Sequence, residues 1–143
     1  MQTPEELQWS IQDSISPEEE RVLNEILEQY NVEQTGLRRA TLAILLRTRN
    51  GQLVGGVACT VAWGLLYIKI LSVHPRLRGQ GYGAKLLAAA ERQGRAQGCH
   101  LAHLHTMSFQ APSFYEKYGY TIFEILEANP PQYKRCFLKK PLI

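Results

Sequence analysis

A glycine-rich stretch between a predicted strand and a predicted helix is the part of the chain best suited to binding an anion. This stretch, Arg78–Ala84, follows the sequence Val73-His74-Pro75. Because glycine has no Cβ, the backbone can come close to an anion, and the first N–H groups of the following helix have no intrahelical partner. Arg76 and Arg78 add positive charge beside those donors. The junction is therefore predicted to bind phosphate.

Two other kinds of glycine loop fit this stretch less well. A P-loop requires lysine and then serine or threonine after its last glycine, whereas Gly79 is followed at the matching positions by Ala84, Lys85 and Leu86. A dinucleotide-binding loop accepts the spacing of residues 79–84 but expects an acidic residue about 20 positions later. That region is His103–Thr106, which contains no carboxylate.

A second block of residues, Ser108–Tyr120, narrows the interpretation. It is similar to the segment N-x-x-A-x-x-[FL]-Y-x-K-x-G-[FY] of the GNAT family of N-acetyltransferases, with Ser108 where asparagine is usual. The pattern Arg78-x-x-Gly81-x-Gly83 resembles the acetyl-CoA loop of the same family. Two blocks in the order that the family shows are more specific than either one alone.

The resemblance implies a fold, an activity and a single N-acetyltransferase domain over residues 1–143. The expected fold is α/β (α+β), with a mixed, mostly antiparallel central sheet of roughly six to seven strands, helices on both faces, and a parallel pair that splays at the cofactor site. The expected activity is acetyl-CoA-dependent transfer of an acetyl group to a primary amine of a small molecule or a protein, by direct attack. The alternative is a catalytically silent acyl-CoA-binding sensor or subunit.

The resemblance also assigns roles to individual residues. Tyr115 aligns with the general acid of the family, and a phenol with a reference pKa of about 10 suits protonation of a departing thiolate. The backbone of the strand before the loop is expected to pair with the pantetheine arm, and the loop amides are expected to hold the pyrophosphate. The predicted acetyl-CoA-binding residues are Leu71, Ser72, Val73, Arg78, Gly79, Gln80, Gly81, Tyr82, Gly83 and Ala84.

The general base stays unassigned in the sequence. Related enzymes often place a carboxylate on the strand before the loop, where this chain has Lys69. A lysine with a reference pKa of about 10.4 is a poor base near neutral pH unless it is buried or lies beside another cation. The remaining candidates are a chain of water molecules, His74, His105 and the amine's own equilibrium. Lys69 is alternatively a ligand for an acidic group on the acceptor.

Composition and charge indicate what kind of protein this is and which kinds of partner it is expected to bind. The chain has 143 residues, of which 45% are hydrophobic, as expected for one globular domain. Residues 1–36 carry nine acidic residues and one basic residue, whereas residues 37–143 carry four acidic and fifteen basic ones. The basic part favours a polyanionic cofactor, and the acidic part favours a cationic acceptor. The basic residues are dispersed without interleaved aromatics, so no nucleic-acid partner is expected.

A cytoplasmic protein without a membrane span or a metal site is expected. The longest apolar stretch, Val57–Ile68, is shorter than the ~20 residues that a spanning helix needs, and the first residues lack the pattern of a signal peptide. Histidines cluster at residues 100–105 without a nearby carboxylate, so no metal is predicted there. The three cysteines are odd in number and lack C-x-x-C spacing, which argues against a disulfide framework. Oligomeric state stays open, with a homodimer as one candidate because exposed sheet edges often pair.

The hydrophobic pattern predicts the elements that position these residues. A strand is predicted over Leu7–Gln12, and a helix from the capping box Ser16-Pro17-Glu18-Glu19 to Gly36. Three antiparallel strands then precede the loop, joined by turns at Asn50-Gly51 and Trp63-Gly64.

The part of the chain after the loop is predicted to continue as helix, strand, short helix and two strands. The long helix places Leu86, Leu87, Ala90 and Gly94 on its apolar face, with Glu91 on the polar side. A strand over Leu101–Thr106 lies parallel to the strand ending at Val73, and a short helix near 112–118 precedes strands near 120–124 and 133–138. The paired Gly55-Gly56 indicates a bulge, a close backbone approach or ordinary strand flexibility. The acceptor pocket is expected to involve segments 14–40, 61–67 and 124–134.

Overall fold

A computed structural model describes residues 5–143. The chain divides into two compact units, Met1–Arg38 and Arg39–Ile143. The single domain predicted over residues 1–143 stays a prediction. Within residues 5–143, no helix is long and apolar enough to cross a membrane.

The first unit contains helix α1, Pro17–Thr35. The predicted capping box is confirmed, because the Ser16 hydroxyl accepts a hydrogen bond from the Glu19 N–H and the Glu19 carboxylate accepts one from the Ser16 N–H. Gly36, with a φ of 73°, ends the helix as predicted. The strand predicted over Leu7–Gln12 is wrong. Residues 5–12 form no regular structure. A strand must pair its backbone with a neighbouring strand, and the described residues of the first unit contain none.

The second unit is built on one six-stranded sheet. Its elements in chain order are β1 Ala40–Arg47, β2 Leu53–Ala62, β3 Leu65–Val73, a 3₁₀ turn at Pro75–Leu77, α2 Tyr82–Ala96, β4 Leu101–Met107, α3 Pro112–Lys117, β5 Thr121–Glu127 and β6 Lys134–Pro141. The strand order is β1-β2-β3-β4-β6-β5, and every pair is antiparallel except β3-β4. This mixed sheet with one parallel pair and flanking helices confirms the predicted fold class.

The turns and one close approach fix the register of the first three strands. The turn between β2 and β3 is the predicted Trp63-Gly64 pair, with φ values of 51° and 76°. A Cβ built on Gly56 would lie 2.8 Å from the backbone oxygen of Ile44 on β1. Of the interpretations left open for Gly55-Gly56, close backbone approach is therefore confirmed at Gly56, where a side chain would push β1 away from β2.

The core of the second unit lies between the sheet and helix α2. The helix packs Leu86, Leu87 and Ala90 into the core, and Gly94 lets Leu66 of β3 come close to the helix backbone. Glu91 is a correction to the predicted polar face, since it is 5% exposed. It lies one turn beyond Leu87 on the buried side, where a tyrosine and a lysine satisfy its carboxylate. The buried sheet residues that complete the core are Val57, Cys59, Val61, Leu66, Ile68, Ala102, Leu104, Cys136 and Leu138.

Candidate active site

A cleft opens where the two parallel strands stop pairing. β3 and β4 are hydrogen-bonded only from Leu65↔Leu101 to Tyr67↔His103. Beyond that point a cavity of about 270 Å³ lies between the strands, and its walls are Ile68, Lys69, Ile70, Leu71, Leu104, His105, Thr106, Gln110 and Tyr115. We call this cavity the central cleft. It is the splay that the sequence predicted for the parallel pair.

A β-bulge at Lys69 shapes one wall of the cleft. Ala58 of β2 pairs with Ile70, and the next residue, Cys59, pairs with Ile68, so Lys69 is the extra residue of β3. A bulge bends the strand and redirects its side chains, as bulges often do beside active sites. Lys69 thereby lines the central cleft.

The predicted pantetheine-binding strand keeps one backbone edge open. Leu71, Ser72 and Val73 pair with Val57, Gly56 and Gly55 of β2 on one side. On the other side they have no partner in β4, because the parallel pairing has already ended at Tyr67. Apart from the Val73 oxygen, which accepts from Arg78 Nε, this edge therefore presents backbone groups to an extended ligand in the manner of an added strand.

The glycine loop leads directly from this strand into helix α2. Gly79 and Gly81 have φ values of 76° and 85°, a left-handed conformation that glycine adopts without strain. Gly81 is the N-cap of α2 and provides no side-chain hydrogen bond to the first turn. The N–H groups of Tyr82, Gly83 and Ala84 are thus left without a side-chain acceptor, which makes the start of this 15-residue helix a suitable anion site.

Side-chain hydrogen bonds of Arg78 and Gln80 stabilise the connection between β3 and the glycine loop. Arg78 donates a hydrogen bond from Nε to the backbone oxygen of Val73, over 3.0 Å, which ties the loop to the end of β3. Gln80 donates from Nε2 to the backbone oxygen of Arg76 at 3.3 Å.

A separate, mostly apolar cavity of about 470 Å³ lies beside the end of β3 and includes Ser72, Val73, His74 and Arg78 among its lining residues.

Tyr115 reaches the central cleft from helix α3. Its side chain is 8% exposed, and its ring packs edge-on against Phe114 and Tyr120 at centroid distances of 5.1 and 5.8 Å. Burial raises the pKa of this phenol, so it stays protonated over a wider pH range. Within residues 5–143, no group hydrogen-bonds the Tyr115 hydroxyl, which leaves it available to a ligand in the cleft.

The segment before α3 is fixed to the sheet by short hydrogen bonds. The Gln110 Oε1 atom accepts from the Thr106 hydroxyl at 3.1 Å and from the Met107 N–H at 2.6 Å. Ser108, which replaces the usual asparagine, accepts from the Lys134 N–H of β6 at 3.0 Å. Gln110 and Thr106 both line the cleft, although no role for either is predicted from the sequence. Gln110 lies within the recognised block, but only the structure reveals that its side chain folds back onto β4.

A buried network of polar side chains includes Tyr120, whose ring contacts Tyr115. The Tyr120 hydroxyl donates to Glu91 Oε2 at 2.7 Å, and Lys140 Nζ donates to Glu91 Oε1 at 2.8 Å. Burial, reinforced by the neighbouring Glu91 carboxylate, raises the pKa of Tyr120. Because the rings of Tyr120 and Tyr115 are in contact, this network fixes the wall of the cleft from which the predicted acid projects.

His74 and His105, the two histidines that the sequence offers as candidate general bases, lie in different parts of the second unit. His105 lines the central cleft, and its Nε2 atom is 3.0 Å from the Tyr67 hydroxyl. His74 lies at the loop instead, where its Nδ1 atom accepts from the Arg76 N–H at 3.3 Å. Among the described residues of the second unit, no carboxylate lines the central cleft.

A side groove adjoins the cleft on β2 and β3. This groove, about 350 Å³, includes Trp63, Tyr67, Lys69 and His103, so Lys69 borders both cavities. His103 stacks on Tyr67 at a centroid distance of 5.1 Å, and burial lowers the pKa of its imidazole. Segment 61–67, predicted to help shape the acceptor pocket, supplies part of this groove. Among residues 5–143, no group of three or more His, Cys, Asp or Glu side chains is arranged to hold a metal ion.

The glycine loop and the cleft lie within a region that matches a known family. The Acetyltransferase (GNAT) family profile matches residues 5–120. The chain belongs to the GNAT family. It is an acetyltransferase, and the family predicted from its two sequence blocks is confirmed.

Named relatives of this GNAT protein are also acetyltransferases. An acetyltransferase of Agrobacterium fabrum is 34% identical over 116 residues, which are 80% of this chain and 85% of that protein. The blasticidin-S acetyltransferase of Streptomyces morookaense is 37% identical over 93 residues, covering 64% of this chain and 68% of that protein. A crystal structure from Agrobacterium tumefaciens, of a protein assigned as an acetyltransferase, has a TM-score of 0.83 and 32% identity, and the match covers 94% of this chain and 99% of that one.

Proposed function

We propose that this GNAT protein transfers the acetyl group of acetyl-CoA directly to a primary amine of a small molecule or a protein. The observation that supports this most strongly is the continuity of the open strand edge Leu71–Val73 with the glycine loop Arg78–Ala84. An extended, polyanionic thioester placed along both would bring its acyl end into the central cleft. The Streptomyces relative is named for a small-molecule acceptor, which favours the same class here.

The fit of the loop to a pyrophosphate rests on donor geometry. The uncapped amides of Tyr82, Gly83 and Ala84 point from the start of α2, and Gly79 and Gly81 leave the approach free of side chains. Arg78 donates a hydrogen bond from Nε to the end of β3, which fixes the position of the loop relative to that strand. Gln80 stabilises the loop backbone through Arg76.

Tyr115 is the proposed general acid. Acetyl-CoA supplies a thioester whose carbonyl carbon is open to attack by an amine and whose thiolate leaves. The Tyr115 hydroxyl is free for a ligand, and its raised pKa keeps the proton in place until a strongly basic thiolate develops. A backbone N–H of the open β3 edge is the proposed donor to the thioester oxygen.

Calorimetric titration of the purified chain with acetyl-CoA is the first test, with NADH as the control for the dinucleotide interpretation. Saturable acetyl-CoA binding without NADH binding is expected. Turnover is then followed by release of free thiol with a panel of primary amines: blasticidin S, spermidine and a lysine-containing peptide. Absence of acetyl-CoA binding would contradict the proposal.

The variant Tyr115→Phe separates binding from chemistry. We expect kcat to fall by roughly 10²–10⁴-fold, the usual contribution of a positioned acid, while acetyl-CoA affinity is nearly unchanged. Tyr118→Phe is the matched control, because Tyr118 follows the same helix and contacts Phe114 without lining the cleft. A Tyr115→Phe protein with full kcat would remove Tyr115 from the mechanism.

A second candidate function is a catalytically silent acyl-CoA-binding sensor or subunit. The described residues of the second unit that line the central cleft include no carboxylate, a common type of general base, and this favours the second candidate. Acetyl-CoA binding without thiol release for any amine of the panel would support the sensor over the enzyme.

A further inference from the structure

The central cleft lacks an assigned acceptor for the proton that an amine must lose. An alkylamine, like lysine with its reference pKa of about 10.4, is mostly an ammonium ion at neutral pH and has no lone pair for attack. Of the residues that line the cleft, Lys69 carries an alkylamine of the same kind as the acceptor, and Tyr115 is the proposed acid. Thr106 and Gln110 hydrogen-bond each other and do not titrate near neutral pH. The remaining titratable group of the cleft is His105.

His105 is held at the junction of the cleft and the side groove. It lies on β4 two residues beyond the last parallel pair, where the strands have separated. Its Nε2 atom and the Tyr67 hydroxyl are 3.0 Å apart, and Tyr67 itself lines the side groove. The Phe137 ring of β6 packs against the imidazole at a centroid distance of 5.6 Å. The ring thus contacts side chains of both neighbouring strands, and His105 is exposed.

We propose that His105 is the general base that deprotonates the acceptor ammonium, and that Tyr67 is a positioning residue that orients its imidazole. This inference rests on the proposed acetyl transfer. Imidazole is suited to the task because histidines change protonation close to neutral pH and transfer protons readily.

The proton balance closes with these residues alone. In this proposal the Nε2–H of neutral His105 donates to the Tyr67 hydroxyl, and Nδ1 takes one proton from the ammonium, which frees the lone pair of the amine nitrogen. The C–N bond forms and the C–S bond breaks, and Tyr115 gives its proton to the departing thiolate. The new amide nitrogen loses its second proton, which restores the Tyr115 phenol, and His105 releases its proton to solvent. The products are the N-acetyl amine and CoA thiol.

The titratable and charged groups near His105 come from several elements of the second unit. They include Tyr67 and Lys69 of β3, His103 of β4, Arg135 and Lys139 of β6, and Tyr115 of α3. Glu124 of β5 lies one strand further, at the register position opposite Phe137.

The other histidines near the site fit the role less well. His74 accepts the Arg76 N–H and lies at the loop, beside the apolar cavity and outside the residues that line the central cleft. His103 lies in the side groove, stacked on Tyr67, and its lowered pKa makes it a weaker base. His105 alone combines a place in the cleft with a hydrogen bond that fixes the ring.

The test is the pH dependence of kcat/KM for His105→Gln, measured with the panel amine that gives the fastest turnover. The unmodified protein should lose activity as pH falls through the range in which histidines titrate. His105→Gln should lose roughly 10²–10⁴-fold at neutral pH. Its residual rate should rise tenfold per pH unit towards the pKa of the amine, because only the free amine then reacts. Calorimetry should give an unchanged acetyl-CoA affinity, and His105→Asn repeats the measurement should His105→Gln unfold.

Matched variants separate the roles. His103→Gln, on the same face of β4, should keep the acidic limb of the profile. Tyr67→Phe should keep that limb too but lower kcat by roughly fivefold, the effect of one lost hydrogen bond. An unchanged acidic limb in His105→Gln, or its loss in His74→Gln, would overturn the proposal while leaving acetyl transfer in place. No turnover by the unmodified protein with any panel amine would overturn both proposals.

Discussion

Tyr120→Phe tests whether the polar network behind Tyr115 contributes to folding as its geometry indicates. Tyr120 is 2% exposed, and its hydroxyl donates to Glu91 over 2.7 Å. The substitution removes one oxygen and keeps the ring, so the contact with Tyr115 and the packing of the core are preserved. Its effect therefore reports on the hydrogen bond.

The expected cost follows from the charge and burial of the acceptor. A hydrogen bond to a charged group contributes about 1.5–3 kcal/mol. Glu91 is 5% exposed and cannot reach water to replace the lost donor, although Lys140 still binds its other oxygen. We therefore expect a loss of about 2–3 kcal/mol in the free energy of unfolding. For a chain of this size, Tm should fall by roughly 5–10 °C.

The raised pKa of Tyr120 adds a dependence on pH with a defined sign. A phenol that resists ionisation in the folded state, but ionises freely in the unfolded chain, stabilises the fold below the unfolded pKa. That stability is lost as pH rises above about 10, by about 1.4 kcal/mol per pH unit. Tyr120→Phe removes this contribution, so its free energy of unfolding should decline less steeply above pH 10 than that of the unmodified protein.

Urea unfolding at pH 7 and at several values above pH 10, with thermal melts alongside, measures both effects. Tyr118→Phe is the control, because the Tyr118 ring is 37% exposed and its hydroxyl makes no hydrogen bond within residues 5–143. Its unfolding free energy should change by less than about 0.5 kcal/mol. Equal stability of the two variants at pH 7, or parallel alkaline slopes for Tyr120→Phe and the unmodified protein, would refute the reasoning.

Three further substitutions test backbone features. Gly56→Ala should cost about 1–3 kcal/mol in urea unfolding, because its Cβ would meet the rigid Ile44 carbonyl at 2.8 Å; an unchanged midpoint would contradict the close approach. Gly81→Ala should cost about 1–2 kcal/mol, because its φ of 85° strains any residue with a Cβ. Calorimetry should show weaker acetyl-CoA binding, and full affinity would argue against the loop as the pyrophosphate site. Ser16→Ala should destabilise α1 by about 1 kcal/mol, seen as faster amide exchange in its first turn; unchanged exchange would show that the capping box contributes little.

The sequence predicted the elements whose local chemistry is self-contained. The capping box at Ser16, the turn at Trp63-Gly64 and the glycine loop before α2 each depend on residues within a few positions of one another. Such features keep their meaning in any tertiary context, which is why they were confirmed. The parallel β3-β4 pair was equally predictable, because a strand-helix-strand connection admits few other arrangements.

Features that depend on distant partners were missed or wrong. Leu7–Gln12 alternates like a strand, yet a strand requires a neighbouring backbone, and the pattern holds no information about that neighbour. Glu91 has a helical position next to Leu87, but its burial depends on Tyr120 and Lys140, which follow much later in the chain. The spacing of apolar residues along α2 therefore cannot predict either partner of Glu91.

The two halves of the candidate site differ in the same way. The half proposed to bind acetyl-CoA uses backbone groups, which are set by strand termination, glycine conformation and the start of a helix, so a short sequence block is enough to predict it. The half proposed to bind the amine uses side chains brought together by the early end of the β3-β4 pairing and by the bulge at Lys69. A one-residue change in that bulge would reverse the faces that the β3 residues after it present, from Ile70 to Val73, without altering either motif. Which side chains line the half proposed to bind the amine is therefore a property of strand register, which the two motifs do not contain.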